Sequence, residues 1–121
     1  MIDPRRGEVW QIRFDPQVGP EIRKPRPAVV ISEDHIRRLP LRIVVPVRHW
    51  KDTFQNEAWM IGLTPSEENG LDNACAADAF QVKSVALERF VSRRGTLADD
   101  ELEEIVAAVA LCIGYDPILI D

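Results

Sequence analysis

Apolar and polar positions alternate in several short segments of the first 90 residues, which is the spacing of half-buried β-strands. Segment 9–14 places Trp10, Ile12 and Phe14 on one face of such a strand. Segment 28–32 is instead continuously apolar and rich in β-branched residues, which predicts a strand buried on both faces. Three further strands are predicted at 41–47, 58–64 and 79–85. The turn residues between these segments favour a small antiparallel barrel or a tightly curled sheet.

The last third of the chain has helical periodicity. From Asp99 onward apolar residues recur every three or four positions, and acidic residues crowd the first turns, where the helix dipole favours negative charge. Gly114 suits the C-terminal cap of this helix. We therefore expect a mainly β fold with one C-terminal helix (α+β), whose apolar stripe packs on the sheet.

Prolines limit two of the extended segments. Segment 15–25 holds three prolines and one glycine in eleven residues, which predicts an exposed, mobile loop. Pro46 stands near the end of the third predicted strand. Because proline cannot donate to a strand ladder, this end is expected at an edge or a bulge.

Length and composition indicate an ordinary soluble protein. The 121 residues fit one domain, 1–121, and the longest apolar run, 105–113, is shorter than the ~20 residues of a membrane helix. The N-terminus lacks the apolar region of a secretory signal, so the cytoplasm is the expected location and no membrane partner is predicted. Cys75 and Cys112 are interpreted as packing residues, and no metal or other cofactor is predicted.

Charge is divided unevenly along the chain. Residues 1–52 carry eleven Lys and Arg against seven acids, whereas residues 53–121 carry four against thirteen. The overall net charge of −5 therefore does not exclude a polyanionic partner for the first half. A solvated surface without a partner is equally compatible with this asymmetry.

Arg26 lies between Pro25 and Pro27, directly before the apolar segment 28–32. Each proline restricts the backbone of its own residue and of the residue before it, so the backbone that carries the Arg26 side chain has a fixed conformation. Fixed placement suits bidentate binding of a phosphate. An ion pair with a nearby carboxylate such as Glu21 is the alternative interpretation.

The segment around these residues resembles the N-terminal signature of the MazF/PemK toxin family. That signature has a G-[DE]-[IV]-W strand, a D-P-x-x-G-x-E loop and an R-P-[AV]-V-[VL] strand. The matching residues here are Gly7, Glu8, Trp10, Asp15, Pro16, Gly19, Glu21, Arg26, Pro27, Ala28 and Val29. Segments 43–47, 69–85 and 87–90 and the closing RRGTL and helix also resemble the family, so the likeness covers nearly the whole chain.

The resemblance implies a small SH3-like antiparallel barrel of the MazF/CcdB/Kid type that forms a homodimer. It implies a metal-independent, sequence-selective endoribonuclease that cuts single-stranded RNA and is neutralised by a cognate antitoxin. Cleavage would leave 2′,3′-cyclic phosphate and 5′-hydroxyl ends. Arg26 matches the family's catalytic arginine and is suited to stabilising the phosphorane, and Glu21 matches the loop glutamate and is the candidate base. A loop ion pair from Glu21 to Arg23 or Lys24 is the alternative.

The chain departs from the family at the end of the third strand, where a threonine or serine commonly contributes a hydroxyl at the scissile phosphate. Here Pro46 and Val47 are followed by Arg48. Arg48 could replace the hydroxyl as a donor, and His49 could act as an acid or a base near neutral pH. Alternatively, the protein could bind a partner without cutting RNA, as in a degenerate member or a gyrase-poisoning relative of the same fold.

Several residues are candidates for RNA binding. Gln81 and Lys83 lie in a segment similar to the family's D-Q-[VIP]-[KR]-[ST], although Phe80 replaces the aspartate and the nearest acid is Asp78. Trp50 offers an aromatic face for stacking, whereas Trp59 is expected in the core. The cations Arg23 and Lys24 complete the set of candidate RNA-binding residues.

Overall fold

A computed structural model describes residues 2–14, 19–21 and 24–116. Its strands are β1 (Glu8–Ile12), β2 (Arg26–Val30), β3 (Leu41–His49), β4 (Met60–Leu63), β5 (Cys75–Asp78), β6 (Lys83–Ala86) and β7 (Phe90–Thr96), followed by helix α1 (Asp99–Cys112). Most of the predicted loop segment 15–25, with Asp15, Pro16 and Arg23, lies outside the described residues.

The strands form one antiparallel sheet in the order β4-β5-β3-β2-β1-β7, and β6 pairs with β3 beside β5. The mainly β fold with a C-terminal helix is therefore confirmed. Among the described residues the path of paired strands ends at β4 and β7, so strand pairing does not close the expected barrel. The remaining elements are short 3₁₀ turns, the longest of which is Asp52–Asn56.

Two apolar clusters bury the sheet from both sides. Val29 of β2 belongs to the cluster that includes Ile105 of α1, whereas Ala28 and Val30 belong to the cluster that includes Phe90 of β7. All three β2 residues are essentially inaccessible to solvent. The prediction that segment 28–32 is buried on both faces is thus confirmed for its first three residues, and β2 is a rigid support for Arg26 at its start.

Pro46 lies in a central strand, so the expected edge position is wrong. β3 pairs with β2 along one side, including Ala28 opposite Pro46. Along its other side β6 pairs with residues 41–44 and β5 with residues 47–49. Pro46 therefore falls in the interval between two partner strands, where a missing N–H does not interrupt a ladder.

Two strands were not predicted, and one predicted strand is only partly correct. Segment 79–85 begins as a 3₁₀ turn, Ala79–Gln81, and becomes strand β6 only at Lys83. The missed strands are β5, whose alanines have low strand propensity, and β7, whose middle residues are polar and exposed. Both are held by long-range pairing, which local patterns do not report.

Helix α1 confirms the predicted helix. It begins at Asp99, carries three acids in its first turn, and buries Ile105 and Ala108. Gly114 follows the helix with a φ of 79°, the left-handed conformation that glycine adopts without steric cost.

Candidate functional site

A cleft of about 220 Å³ lies where β2 begins and β3 ends. These ends are adjacent because the strands are antiparallel, and extending the register of Ala28 opposite Pro46 by two residues brings Arg26 opposite Arg48. The cleft's basic lining residues are Arg26, Arg48, His49 and Arg94. Two chain segments far apart in sequence, 25–27 and 47–49, therefore place cations around one opening.

Arg26 has no hydrogen-bond or ion-pair partner among the described residues. Its Nε is buried and meets no acceptor in the described part of the chain, although its backbone is fixed by pairing with Ile12 of β1. Burying a charged donor without a partner is unfavourable, so this group calls for an acceptor from outside the described residues, such as water or a bound ligand. The alternative expectation of an ion pair between Arg26 and Glu21 is not met.

Arg94 lies in the same cleft but has a structural role that sequence analysis missed. Its Nε and one terminal nitrogen donate to the Gly70 carbonyl at 3.0 and 2.8 Å, and the same terminal nitrogen is 2.9 Å from Asp72. Its other terminal nitrogen donates to the Gln11 side chain at 3.1 Å. Arg94 thus ties the turn before β5 to β7 and to β1. The RRG sequence before Thr96 was its only local signal.

Arg48 forms the wall between this cleft and a neighbouring depression. One terminal nitrogen is 3.3 Å from the Asp78 carboxylate, and the guanidinium lies 5.4 Å from the centre of the Phe54 ring. His49, the next residue, is exposed and lines the cleft. The structure therefore places Arg48, which stands where the family has a hydroxyl residue, and its neighbour His49 in the same cleft as Arg26.

Glu21 lines a second depression, of about 380 Å³, together with Gln81 and Lys83. The Lys83 ammonium lies 5.7 Å from the centre of the Phe14 ring, over its face. Pro46 also lines this second depression, whereas Val47 lines the Arg26 cleft. The candidate base and the candidate phosphate ligand thus occupy separate depressions that meet along successive residues of β3.

The aromatic residues are arranged differently from the expectation. Trp50 is half-buried and packs edge-on against Phe54, with ring centroids 5.9 Å apart. The Trp50 ring also lies against β4, where a Cβ at Gly62 would make an ordinary contact with it at 3.4 Å. Trp59 is 38% exposed, so its expected core position is wrong: it lies just before β4 and outside the sheet interior. Lys24 is exposed, and Arg23 lies outside the described residues.

Cys75 is buried at the base of the cleft, and burial raises the pKa of its thiol to about 11. The thiol should therefore stay protonated and unreactive in the folded protein. In a Cys112→Ser background, we expect a thiol reagent at pH 8 to label Cys75 only at the rate of unfolding. An unfolded thiol ionises near pH ~8.5, whereas the pKa of Cys75 in the folded protein is about 11. Between these pH values ionisation stabilises the unfolded state, so the free energy of unfolding should fall as the pH rises. Rapid labelling of the native protein would contradict the burial.

The described residues contain neither a cluster of metal-binding side chains nor a helix that could cross a membrane. No group of three or more His, Cys, Asp or Glu side chains in this part of the chain has the arrangement of a metal site. Within the same residues, no helix has the length and apolar character needed to span a bilayer.

Comparison with known proteins gives consistent matches over nearly the whole chain. Residues 5–113 match the family described as "PemK-like, MazF-like toxin of type II toxin-antitoxin system". The chain is 34% identical to "Endoribonuclease MazF9" of Mycobacterium tuberculosis over 88% of this chain and 93% of that protein. It is 32% identical to "Endoribonuclease toxin MazF" of Escherichia coli over 92% of this chain and 95% of that protein.

Solved structures share the fold at lower sequence identity. A crystal structure of MazF from Deinococcus radiodurans aligns with a TM-score of 0.78 at 20% identity, covering 94% of this chain and 99% of the other. A mycobacterial endoribonuclease in complex with its cognate antitoxin aligns with a TM-score of 0.72 at 15% identity, covering 93% and 97%. The sheet and helix described above are therefore those of MazF structures.

Proposed function

This chain belongs to the PemK-like, MazF-like toxin family of type II toxin-antitoxin systems, and from that premise we propose that it is an endoribonuclease toxin. Its substrate is single-stranded RNA, which it cuts at selected sequences without a metal ion, so that translation and growth stop. The names of its relatives, both endoribonucleases, support the activity. The buried, unpartnered Nε of Arg26 in an open cleft is the observation that carries the assignment of the site.

The proposed reaction is attack of a ribose 2′-hydroxyl on the adjacent phosphorus. The new bond from O2′ and the loss of the 5′-oxygen produce a 2′,3′-cyclic phosphate and a 5′-hydroxyl. Negative charge builds up on the non-bridging oxygens of the phosphorane, and Arg26 donates to these oxygens from a rigid strand end. A guanidinium is suited to this task and not to accepting a proton, because it stays protonated in proteins.

Proton transfer is assigned to two other side chains. Glu21 takes the 2′-hydroxyl proton as the base, and His49 supplies a proton to the leaving 5′-oxygen. An RNA strand that follows β3 from His49 to Pro46 would pass from the Arg26 cleft to the depression that holds Glu21. Arg48 donates to the scissile phosphate in place of the hydroxyl that the family signature has at this point.

The neighbouring residues define the proposed RNA path and partners. Gln81 and Lys83 border the Glu21 depression, where an amide and a cation can bind a base edge and a phosphate. Lys24 and Arg23 extend the basic surface, while Trp50 is a weaker stacking candidate because it is half-buried. We assign a homodimer, a cognate antitoxin and a cytoplasmic location to this protein. The structure of a mycobacterial endoribonuclease in complex with its cognate antitoxin supports the assignment of an antitoxin partner.

The activity can be tested with purified protein and a long single-stranded RNA in excess EDTA. We expect cleavage that leaves 2′,3′-cyclic phosphate ends. Once a cleaved sequence is mapped, a matched oligonucleotide with 2′-deoxyribose at the cleavage position alone should remain intact, because it lacks the attacking oxygen. Cleavage of this oligonucleotide would exclude the mechanism. Intact RNA with a folded protein would instead favour a member that binds a partner without cutting.

A further inference from the structure

Two departures of this chain from the family signature meet in space. Arg48 stands where the signature has a hydroxyl, and Phe80 stands where it has the aspartate of the D-Q segment. The nearest acid, Asp78, lies two residues before Phe80 at the end of β5. Its carboxylate is 3.3 Å from the Arg48 guanidinium. Arg48 at the end of β3 and Asp78 at the end of β5 are therefore ion-pair partners.

The strand register explains how the two side chains reach each other. Arg48 is opposite Ala76 in the β3–β5 ladder, and Asp78 is two residues further along β5 on the same face. Such diagonal neighbours are within reach of a long side chain. Phe54 lies against the guanidinium and Gln81 donates to the same carboxylate oxygen at 3.2 Å, so each member of the ion pair has a further contact that holds it in place.

Because Asp78 is buried, the stability of the fold alone does not explain why a carboxylate stands at this position. The residue is 3% exposed, and its second carboxylate oxygen is buried with no hydrogen-bond partner among the residues that the structure describes. Removing a carboxylate from water is costly, and a buried ion pair often stabilises a fold no better than apolar residues of similar volume. A role in orienting Arg48 accounts for a charge at this position.

The position of Arg48 also requires such a partner. It lines the same cleft as Arg26, and extending the β2–β3 register by two residues beyond the Ala28–Pro46 pair brings the two arginines opposite each other, where like charges repel. Asp78 is the one hydrogen-bond acceptor that the Arg48 side chain meets among the described residues. Only one terminal nitrogen is engaged, which leaves the other donors of the planar group for a phosphate in the cleft.

We propose that Asp78 is a positioning residue for RNA cleavage, whose carboxylate holds the Arg48 guanidinium beside Arg26 at the site of the missing hydroxyl. The proposal rests on the proposed endoribonuclease function and adds to it a residue that acts through Arg48. Asp78 itself does not contact the substrate. Its contribution passes through Arg48 and should disappear when Arg48 is absent.

A double-mutant cycle tests this dependence. Single-turnover cleavage at saturating RNA is measured for the wild type, Asp78→Asn, Arg48→Ala and the double variant. We expect Arg48→Ala to slow cleavage by roughly 10²-fold, as for loss of one donor to a developing charge. Asp78→Asn should slow it about tenfold in the wild type and less than about twofold in the Arg48→Ala background. RNA affinity should change less than about threefold, since orientation and not binding is lost.

Controls separate positioning from folding and from net charge. Asp99→Asn makes the same chemical change at an exposed residue of α1 and should cleave at the wild-type rate. Asp78→Glu should recover part of the loss by restoring the charge. If Asp78→Asn is not folded at the assay temperature, Arg48→Lys keeps the cation but loses the planar group. It should then slow cleavage nearly as much as Arg48→Ala.

The outcomes are distinguishable. Equal losses from Asp78→Asn in both backgrounds would overturn the role of Asp78 while the endoribonuclease function stands. Wild-type cleavage by Arg48→Lys would show that cleavage does not need an oriented planar group at residue 48, and it would overturn the proposal in the same way. Absence of cleavage by the folded wild-type protein would overturn both. A loss in Asp78→Asn that appears only as weaker RNA binding would also count against positioning.

Discussion

Replacing Arg26 by alanine is expected to slow RNA cleavage by roughly 10²–10³-fold, the effect of removing one donor to a developing negative charge. Arg26 is the first residue of β2, and its guanidinium has no partner among the described residues. The substrate is therefore the only acceptor assigned to it. Since its removal breaks no interaction in that part of the chain, the thermal midpoint should stay near that of the wild type. Cleavage rate and thermal unfolding of the same preparation provide the measurement.

Two further variants identify what Arg26 supplies. Arg26→Lys retains the charge but loses the planar pair of donors, so we expect it to recover only a small part of the rate. Arg38→Ala removes an exposed arginine that lies outside the cleft and should leave cleavage unchanged. Cleavage by Arg26→Ala within about tenfold of the wild type would show that this arginine is not the main phosphate ligand.

The three arginines of the cleft show why residue type alone does not identify a functional cation. Arg94 engages Gly70, Asp72 and Gln11 and is occupied in holding the fold together. Arg48 is engaged at one end, by Asp78, and Arg26 is not engaged by any described residue. Availability to a ligand therefore increases from Arg94 to Arg48 to Arg26. This order depends on tertiary partners and not on the charges themselves.

Local sequence predicted the parts of the fold that local physics determines. The apolar run of β2 and the helical period of α1 were recognised because burial of each follows from its own residues. The rigid arginine between prolines was recognised for the same reason. The motif resemblance then identified the family, and it is the basis of the roles proposed for Glu21 and Arg26, which the pattern left open.

Features that depend on distant partners were missed or misplaced. Strand β7 is polar at its centre, and only pairing with β1 shows it to be a strand. Trp59 was expected in the core because tryptophan is usually buried, yet it precedes β4 and is exposed. The pairing of Arg48 with Asp78 joins residues 30 positions apart, and no local signal links them.

Replacing Gly95 by alanine is expected to destabilise the protein by about 3 kcal/mol or more, the upper range for overpacking. A Cβ at this residue would lie 2.2 Å from the Glu68 carbonyl oxygen and 2.6 Å from the Asn69 carbonyl carbon. Both atoms belong to backbone that cannot rotate away, and Thr96 donates to the same Glu68 oxygen at 2.7 Å. Thermal unfolding should show a midpoint lowered by on the order of 10 °C.

This close approach positions the cleft as well as stabilising the fold. The turn that crosses Gly95 continues into Leu71 and Asp72, which line the same cleft as Arg26. Displacing it should therefore also weaken cleavage at temperatures where Gly95→Ala is still folded. Gly62→Ala is the matched control, because its Cβ would make only an ordinary contact at 3.4 Å with the Trp50 ring. Equal stability of the two variants would show that the turn yields easily, and that its contact with β7 does not fix the cleft.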